Sequence, residues 1–145
     1  MKQVELDIPR EAADSLREAI AEAGGNEVYF LGKVRWDEAQ AVATLDEVEV
    51  FARGNTVSVP AILAGAENWD LALHNHPGGD LQPSQADLAV ASELGNRQVG
   101  FVIIDNEAER SYLVVKPFVR HEHQPVDVEE VRDILGPGGV LSKHL

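Results

Sequence analysis

Apolar and polar positions follow two periods along this chain, and each period predicts one kind of secondary structure. Apolar residues recur at helical spacing over residues 9–23, where Pro9 suits a first turn and Gly24 and Gly25 end the pattern. A second helix is predicted over residues 84–94, closed by Gly95. Apolar runs rich in β-branched and aromatic residues predict strands over residues 28–34, 41–51, 56–59, 69–73, 100–104 and 111–115.

The order of these elements predicts the fold class. Helix, strands, helix and strands in succession favour an α/β protein, a mixed β-sheet flanked by helices, over a helical bundle or an all-β barrel. The pattern changes after Pro117, where a charged, His-rich stretch precedes a short helix candidate over residues 126–135. We therefore expect one domain over residues 1–119, followed by a linker and short helix over residues 120–145.

Composition narrows the classes of function. The chain has 145 residues and no cysteine, which excludes disulfides, thiolate catalysis and cysteine-bound metal centres. Twelve Lys and Arg against 25 Asp and Glu give a net charge of −13, which disfavours direct nucleic-acid binding. No apolar run is long enough for a membrane span, and the first ten residues do not resemble a signal peptide. We expect a cytoplasmic protein without membrane contact.

Two histidines follow a predicted strand and carry the most informative chemistry. His74 and His76 are two residues apart, so their side chains are expected on one face of the strand. Asp87, from the next helix, offers a carboxylate. Two histidines and one carboxylate are the ligand pattern of catalytic zinc, which keeps one position for water. The sequence thus predicts one Zn²⁺ per chain, bound by His74, His76 and Asp87.

The same helix start also fits a purely structural interpretation. Ser84 and Asp87 have the spacing of a capping box, in which each satisfies a backbone donor of the other. Taken alone, that motif favours a cap over a catalytic site. A cap does not require two histidines just upstream, however, so both interpretations stay open and are compatible.

The full spacing resembles a known motif. His74-x-His76-Pro77 followed by Pro83-Ser84-x-x-Asp87 resembles the JAMM motif of MPN+/JAB-domain metalloproteases, and the resemblance spans roughly residues 1–118. The stretch HNHPGGDLQPSQADLAVA is also similar to the JAB domain of RadC-type proteins and to JAB domains that precede DinG-type helicases. The tail LGPGGVLSKHL resembles the junction that leads into such a helicase.

The resemblance implies a JAB/MPN fold, with a layered architecture like that of cytidine deaminases, and roles for two more residues. Glu27 would be the general base, with Glu47 and Glu49 as rival carboxylates, and Ser84 would hydrogen-bond the oxyanion. The implied activity is zinc-dependent hydrolysis of a peptide or isopeptide bond in a protein or peptide substrate, ubiquitin-like proteins included. The alternative is a non-catalytic MPN module that docks partners or forms a homodimer beside a helicase module of the same chain.

A second His-x-His pair has a different setting. His121 and His123 lie in the charged stretch with no carboxylate at useful spacing, so we interpret them as part of a solvated linker. The letters His74-Asn75-His76 also spell HNH, but the nucleases of that name distribute these residues over much longer stretches. The acidic charge argues against DNA as a substrate as well.

Overall fold

A computed structural model describes residues 3–54 and 57–118 of the chain. Within these residues six strands and three helices form, and the sheet has strands of both directions. The strands are β1 (Glu5–Asp7), β2 (Val28–Asp37), β3 (Val42–Arg53), β4 (Leu71–Asn75), β5 (Gly100–Ile104) and β6 (Ser111–Val115). The helices are α1 (Arg10–Glu22), α2 (Val59–Gly65) and α3 (Gln85–Asn96).

One sheet of order β1-β3-β2-β4-β5-β6 forms the centre of the described structure. β4 lies in its interior, antiparallel to β2 and parallel to β5. All five residues of β4 and all five of β5 are buried, as expected for strands covered on both faces. The end of β4 is therefore a rigid platform for the residues that follow it.

Helices cover both faces of the sheet and divide the core in two. On one face α1 packs against alternate strand residues such as Phe30, Leu71 and Leu73. On the other face α2 and α3 pack against the intervening residues, among them Ala72 and Phe101. Because side chains alternate along a strand, one residue after another in β4 faces α1 and then α3. The predicted α/β class, a mixed sheet flanked by helices, is confirmed.

Most predicted elements form, with small shifts of their ends, but one prediction was wrong. Of the run predicted as a strand over residues 56–59, residues 57 and 58 are not in a strand, and Val59 begins a helix, α2. Ser58 caps that helix by accepting a hydrogen bond from the amide of Ala61, and Pro60 suits its first turn. Strand β1 was not predicted. The expected boundary near residue 119 and the helix over residues 126–135 lie outside the described residues.

None of the helices in the described part of the chain is long and apolar enough to span a membrane.

Candidate metal centre

The site begins where β4 ends. His74 is fully buried within the strand, and the amide of His76 continues the pairing with β5 by donating to the carbonyl of Ile104 at 2.9 Å. The two imidazoles therefore lie on the same face of the sheet, the one that α3 covers. Their Nε2 atoms are 3.2 Å apart.

The first turn of α3 brings the carboxylate of Asp87 to the two histidines. Oδ1 lies 3.0 Å from Nε2 of His74, and Oδ2 lies 3.0 Å from Nε2 of His76. Among the described residues, His74, His76 and Asp87 are the group of three such side chains whose ligand atoms could hold one metal ion. The structure thus brings the three predicted ligands together.

The capping box is also present, in the same residues. The hydroxyl oxygen of Ser84 accepts from the amide of Asp87 at 3.0 Å, and Oδ2 of Asp87 accepts from the amide of Ser84 at 2.9 Å. Burial alone would raise the pKa of Asp87, but hydrogen bonds from His74 and Ser84 hold that pKa well below its usual range. The cap therefore orients the carboxylate and, together with His74, keeps it ionised, so it serves the site instead of competing with it.

The donor atoms fit a small divalent cation. His76 donates its Nδ1 hydrogen to the carbonyl of Asp80 at 2.7 Å, so in the neutral ring Nε2 carries a lone pair. That lone pair faces an ionised carboxylate and a second imidazole nitrogen, an arrangement that requires a proton or a metal ion between them. Tetrahedral zinc would set neighbouring ligand atoms about 3.3 Å apart, close to the separation of the two Nε2 atoms.

The ring of His74 is held by its faces. It stacks on Tyr29, with centroids 4.9 Å apart, and on Phe101, with centroids 5.0 Å apart, at interplanar angles of 7° and 10°. Its Nδ1 atom is buried and has no hydrogen-bond partner among the described residues. Two aromatic faces thus fix an imidazole whose outer nitrogen lacks the hydrogen bond that usually orients a metal-binding histidine.

Glu27 lies next to this cluster, immediately before the first residue of β2. Burial raises the pKa of its carboxyl group; His74 and His76 act in the opposite direction, and the charge of Asp87 raises the pKa further. The rival residues Glu47 and Glu49 are exposed on β3, on the far side of β2 from β4. Of the three carboxylates, Glu27 is therefore the one that the fold brings to the predicted metal ligands.

Two features of the site were missed by sequence reasoning. The aromatic pair around His74 comes from β2 and β5, and only the register of the sheet reveals it. Asn75, between the two histidines, is also fully buried and makes hydrogen bonds to the segment around Glu27. An asparagine at the end of β4, between the two histidines, was the available signal. The second histidine pair, His121 and His123, lies outside the described residues.

Comparison with known proteins assigns the family. The sequence model of the RadC-like JAB domain matches residues 31–104, which include His74, His76 and Asp87. A UPF0758 protein from Rhodobacter capsulatus is 36% identical over 72 residues, 48% of this chain and 32% of the relative. The chain therefore spans about a third of the length of that curated relative.

One solved structure is similar to this chain at the level of the fold, and a second aligns more weakly. The solution structure of protein DSY2949 from Desulfitobacterium hafniense aligns with a TM-score of 0.53 at 15% identity, covering 75% of this chain and 81% of that one. A JAB1/MPN domain protein from Archaeoglobus fulgidus aligns with a TM-score of 0.43 at 19% identity, covering 81% of this chain and 100% of that one. On the extent of the sequence match, the chain belongs to the RadC-like JAB domain family.

Proposed function

We propose that this domain is a zinc-dependent hydrolase that cleaves a peptide or isopeptide bond. The observation that carries the proposal is the cluster of His74, His76 and Asp87, whose ligand atoms converge on one point between β4 and α3. Two histidines and a carboxylate leave a coordination position for a further ligand, as in catalytic zinc sites. When bound there, zinc would supply a Lewis acid that polarises a carbonyl group and acidifies water.

Glu27 is the proposed general base. It would accept a proton from the attacking water and deliver that proton to the leaving amine, as hydrolysis of an amide bond requires. A carboxyl group that both takes up and releases a proton needs a pKa above that of an ordinary glutamate, and burial raises the pKa of Glu27 in that direction. Its position beside the three ligands supports the same role.

Ser84 is the proposed hydrogen-bond donor to the oxyanion of the substrate carbonyl. Its hydroxyl oxygen accepts the amide hydrogen of Asp87, which leaves the hydroxyl hydrogen free of that bond. Such a donor contributes about 3 kcal/mol to stabilising the transition state in comparable sites. The substrate we propose is a protein or peptide, with ubiquitin-like proteins as one candidate class.

Metal analysis of the purified, untagged protein tests the proposal. We expect one zinc per chain in the wild type and none in the His74→Ala/His76→Ala variant. The matched control is His121→Ala/His123→Ala, which removes the other histidine pair and should leave the zinc content unchanged. Absence of zinc from the wild type after reconstitution would contradict the catalytic proposal and favour the alternative, an MPN docking or dimerisation module beside a helicase.

A further inference from the structure

The side chain of Asn75 connects the metal-binding strand to the segment that carries Glu27. Asn75 is fully buried and lies on the opposite face of β4 from the two histidines. Its Oδ1 accepts from the amide of Val28 at 2.7 Å, and its Nδ2 donates to the carbonyl of Asn26 at 3.1 Å. These two partners are the backbone neighbours of Glu27 on either side.

The orientation of this amide is fixed by its partners. The backbone amide of Val28 must face an oxygen, and the backbone carbonyl of Asn26 must face the NH₂ group. The other hydrogen of Nδ2 is donated to Oδ1 of Asn106 at 2.7 Å. Asn75 therefore has a partner for its oxygen and for both of its hydrogens, as full burial of an amide group requires.

Asn106 extends the connection to a third element. It lies in the turn between β5 and β6, and its Nδ2 donates to the carbonyl of Gly25 at 3.1 Å. Together, Asn75 and Asn106 hold three backbone groups, of Gly25, Asn26 and Val28, against the ends of β4 and β5. We call these two side chains the asparagine pair.

Backbone pairing alone does not fix this segment to β4. The register between β2 and β4 begins with Tyr29 opposite His74, so Glu27 lies beyond the last backbone pair. On its other side the carbonyl of Glu27 accepts from the amide of Gly54 at 2.8 Å. The asparagine pair thus supplies on the β4 side the restraint that the sheet no longer gives.

We propose that Asn75 and Asn106 are positioning residues for Glu27, setting its carboxylate relative to the metal ligands that flank Asn75. This inference rests on the proposed function, since it takes Glu27 as the base of a metal centre. A catalytic group has to be held within about 0.5 Å of its working position, and small displacements cost large factors in rate. Asn75 meets that requirement directly, because it lies between His74 and His76 and bonds to both neighbours of Glu27.

The test measures the position of Glu27 without any substrate. Protein labelled with ¹³C at glutamate Cδ is loaded with Co²⁺ or with Zn²⁺, and the difference in the Glu27 Cδ chemical shift between the two forms reports the carboxylate's position relative to the metal.

The variants remove one asparagine of the pair, Asn106, from the contact with the Glu27 segment. Asn106→Ala is the main variant, because Asn106 is half-buried whereas Asn75 is fully buried, so a substitution at Asn106 should disturb the fold less. Asn106→Asp keeps an acceptor for Asn75 and loses the donor to Gly25. The matched control is Asn96→Ala, an exposed asparagine at the far end of α3.

We expect the wild type and Asn96→Ala to give the same Co²⁺-dependent shift of Glu27. Asn106→Ala should give a changed shift with unaltered Co²⁺ affinity, and Asn106→Asp should lie between the two. With a cleavable peptide in hand, Asn106→Ala should lower kcat about 10- to 100-fold. In a Glu27→Ala background the same change should cost nothing further, because a positioning residue acts through the group it positions.

The outcomes distinguish failure of this inference from failure of the proposed zinc-dependent function. If the wild type takes up no Co²⁺, the metal site itself is refuted, and the inference falls with it. If Co²⁺ binds and the Glu27 shift is the same in Asn106→Ala as in the wild type, the asparagine pair does not position Glu27. A loss of Co²⁺ affinity with an unchanged Glu27 shift would refute the inference as well, because the pair would then serve the histidines. If Asn106→Ala fails to fold, Asn106→Asp is measured in its place, and an unchanged Glu27 shift in that variant would refute the inference.

Discussion

The imidazole of His74 shows how single residues define this site. Two stacked rings restrict its orientation, and the nitrogen it presents to His76 and Asp87 is its Nε2. His76 is held differently, by a hydrogen bond from Nδ1 to the carbonyl of Asp80. Each histidine thus has its own restraint, one apolar and one polar, and both direct Nε2 to the same point.

The proposed base can be separated from the ligands by substitution. Glu27→Gln keeps the size of the side chain but removes its ability to accept a proton, so hydrolysis should fall by about 10²- to 10⁴-fold. Zinc content should stay at the wild-type value, as measured by elemental analysis. If Glu27→Gln lost its zinc, Glu27 would be a ligand and not a base.

Ser84 has a capping role in the structure and a proposed catalytic role, and different substitutions distinguish the two. Ser84→Ala removes both the cap and the hydroxyl, so we expect a loss of about 1 kcal/mol in the free energy of unfolding together with weaker hydrolysis. Ser84→Asp retains a capping side chain but has no hydrogen to donate, so it should keep the stability near that of the wild type, while hydrolysis falls about 10²- to 10³-fold. Urea denaturation and a peptide-cleavage assay measure the two effects. Full activity in Ser84→Asp would remove Ser84 from the catalytic group.

At the scale of elements, local sequence signals sufficed for most of the fold and for the grouping of the three predicted ligands. The histidines and Asp87 lie within 14 residues of sequence, on a strand end and the next helix, so their spacing, together with the resemblance to the JAMM motif, predicted their convergence. Strand β1 was not predicted because it has only three residues and forms by pairing with β3, which is distant in sequence. The α2 run contains valine, isoleucine and proline, which favour a strand or a break, and the Ser58 cap decides the outcome. The hydrogen bonds of Asn75 could be recognised only from the fold, because its partners Val28 and Asn26 lie 47 and 49 residues away in sequence.

Helix α2 gives a prediction about packing. A Cβ atom added at Gly65 would lie 2.2 Å from Cε1 of Phe51, a contact too close for the ring to accept without movement. Gly65→Ala should therefore lower the free energy of unfolding by about 1–3 kcal/mol, although alanine is the better helix former.

The control for this prediction is Gly78→Ala, because an added Cβ atom there meets nothing within 4 Å. Its stability should stay close to that of the wild type, measured by the same urea denaturation. Stabilisation by Gly65→Ala would mean that α2 does not pack as closely on β3 as the structure shows.

At the scale of the whole molecule, the metal is expected to act on stability as well as on chemistry. A ligand that binds the folded state alone stabilises it by about 2.7 kcal/mol at a concentration 100 times its Kd. For a domain of this size that corresponds to a rise in Tm of about 5–10 °C. We expect zinc to raise the Tm of the wild type, EDTA to reverse the rise, and neither to affect His74→Ala/His76→Ala. An equal rise in that variant would place the bound zinc elsewhere.

The separations along the chain have a consequence for how the site assembles. Asp87 is 11 residues from His76, whereas Val28 is 47 residues from its partner Asn75. Closing the shorter loop costs less chain entropy, so the ligand set can come together in a partly folded chain before β2 docks on β4. A metal ion bound by the three predicted ligands at that stage would link β4 to α3 while the segment that carries Glu27 is still unpaired.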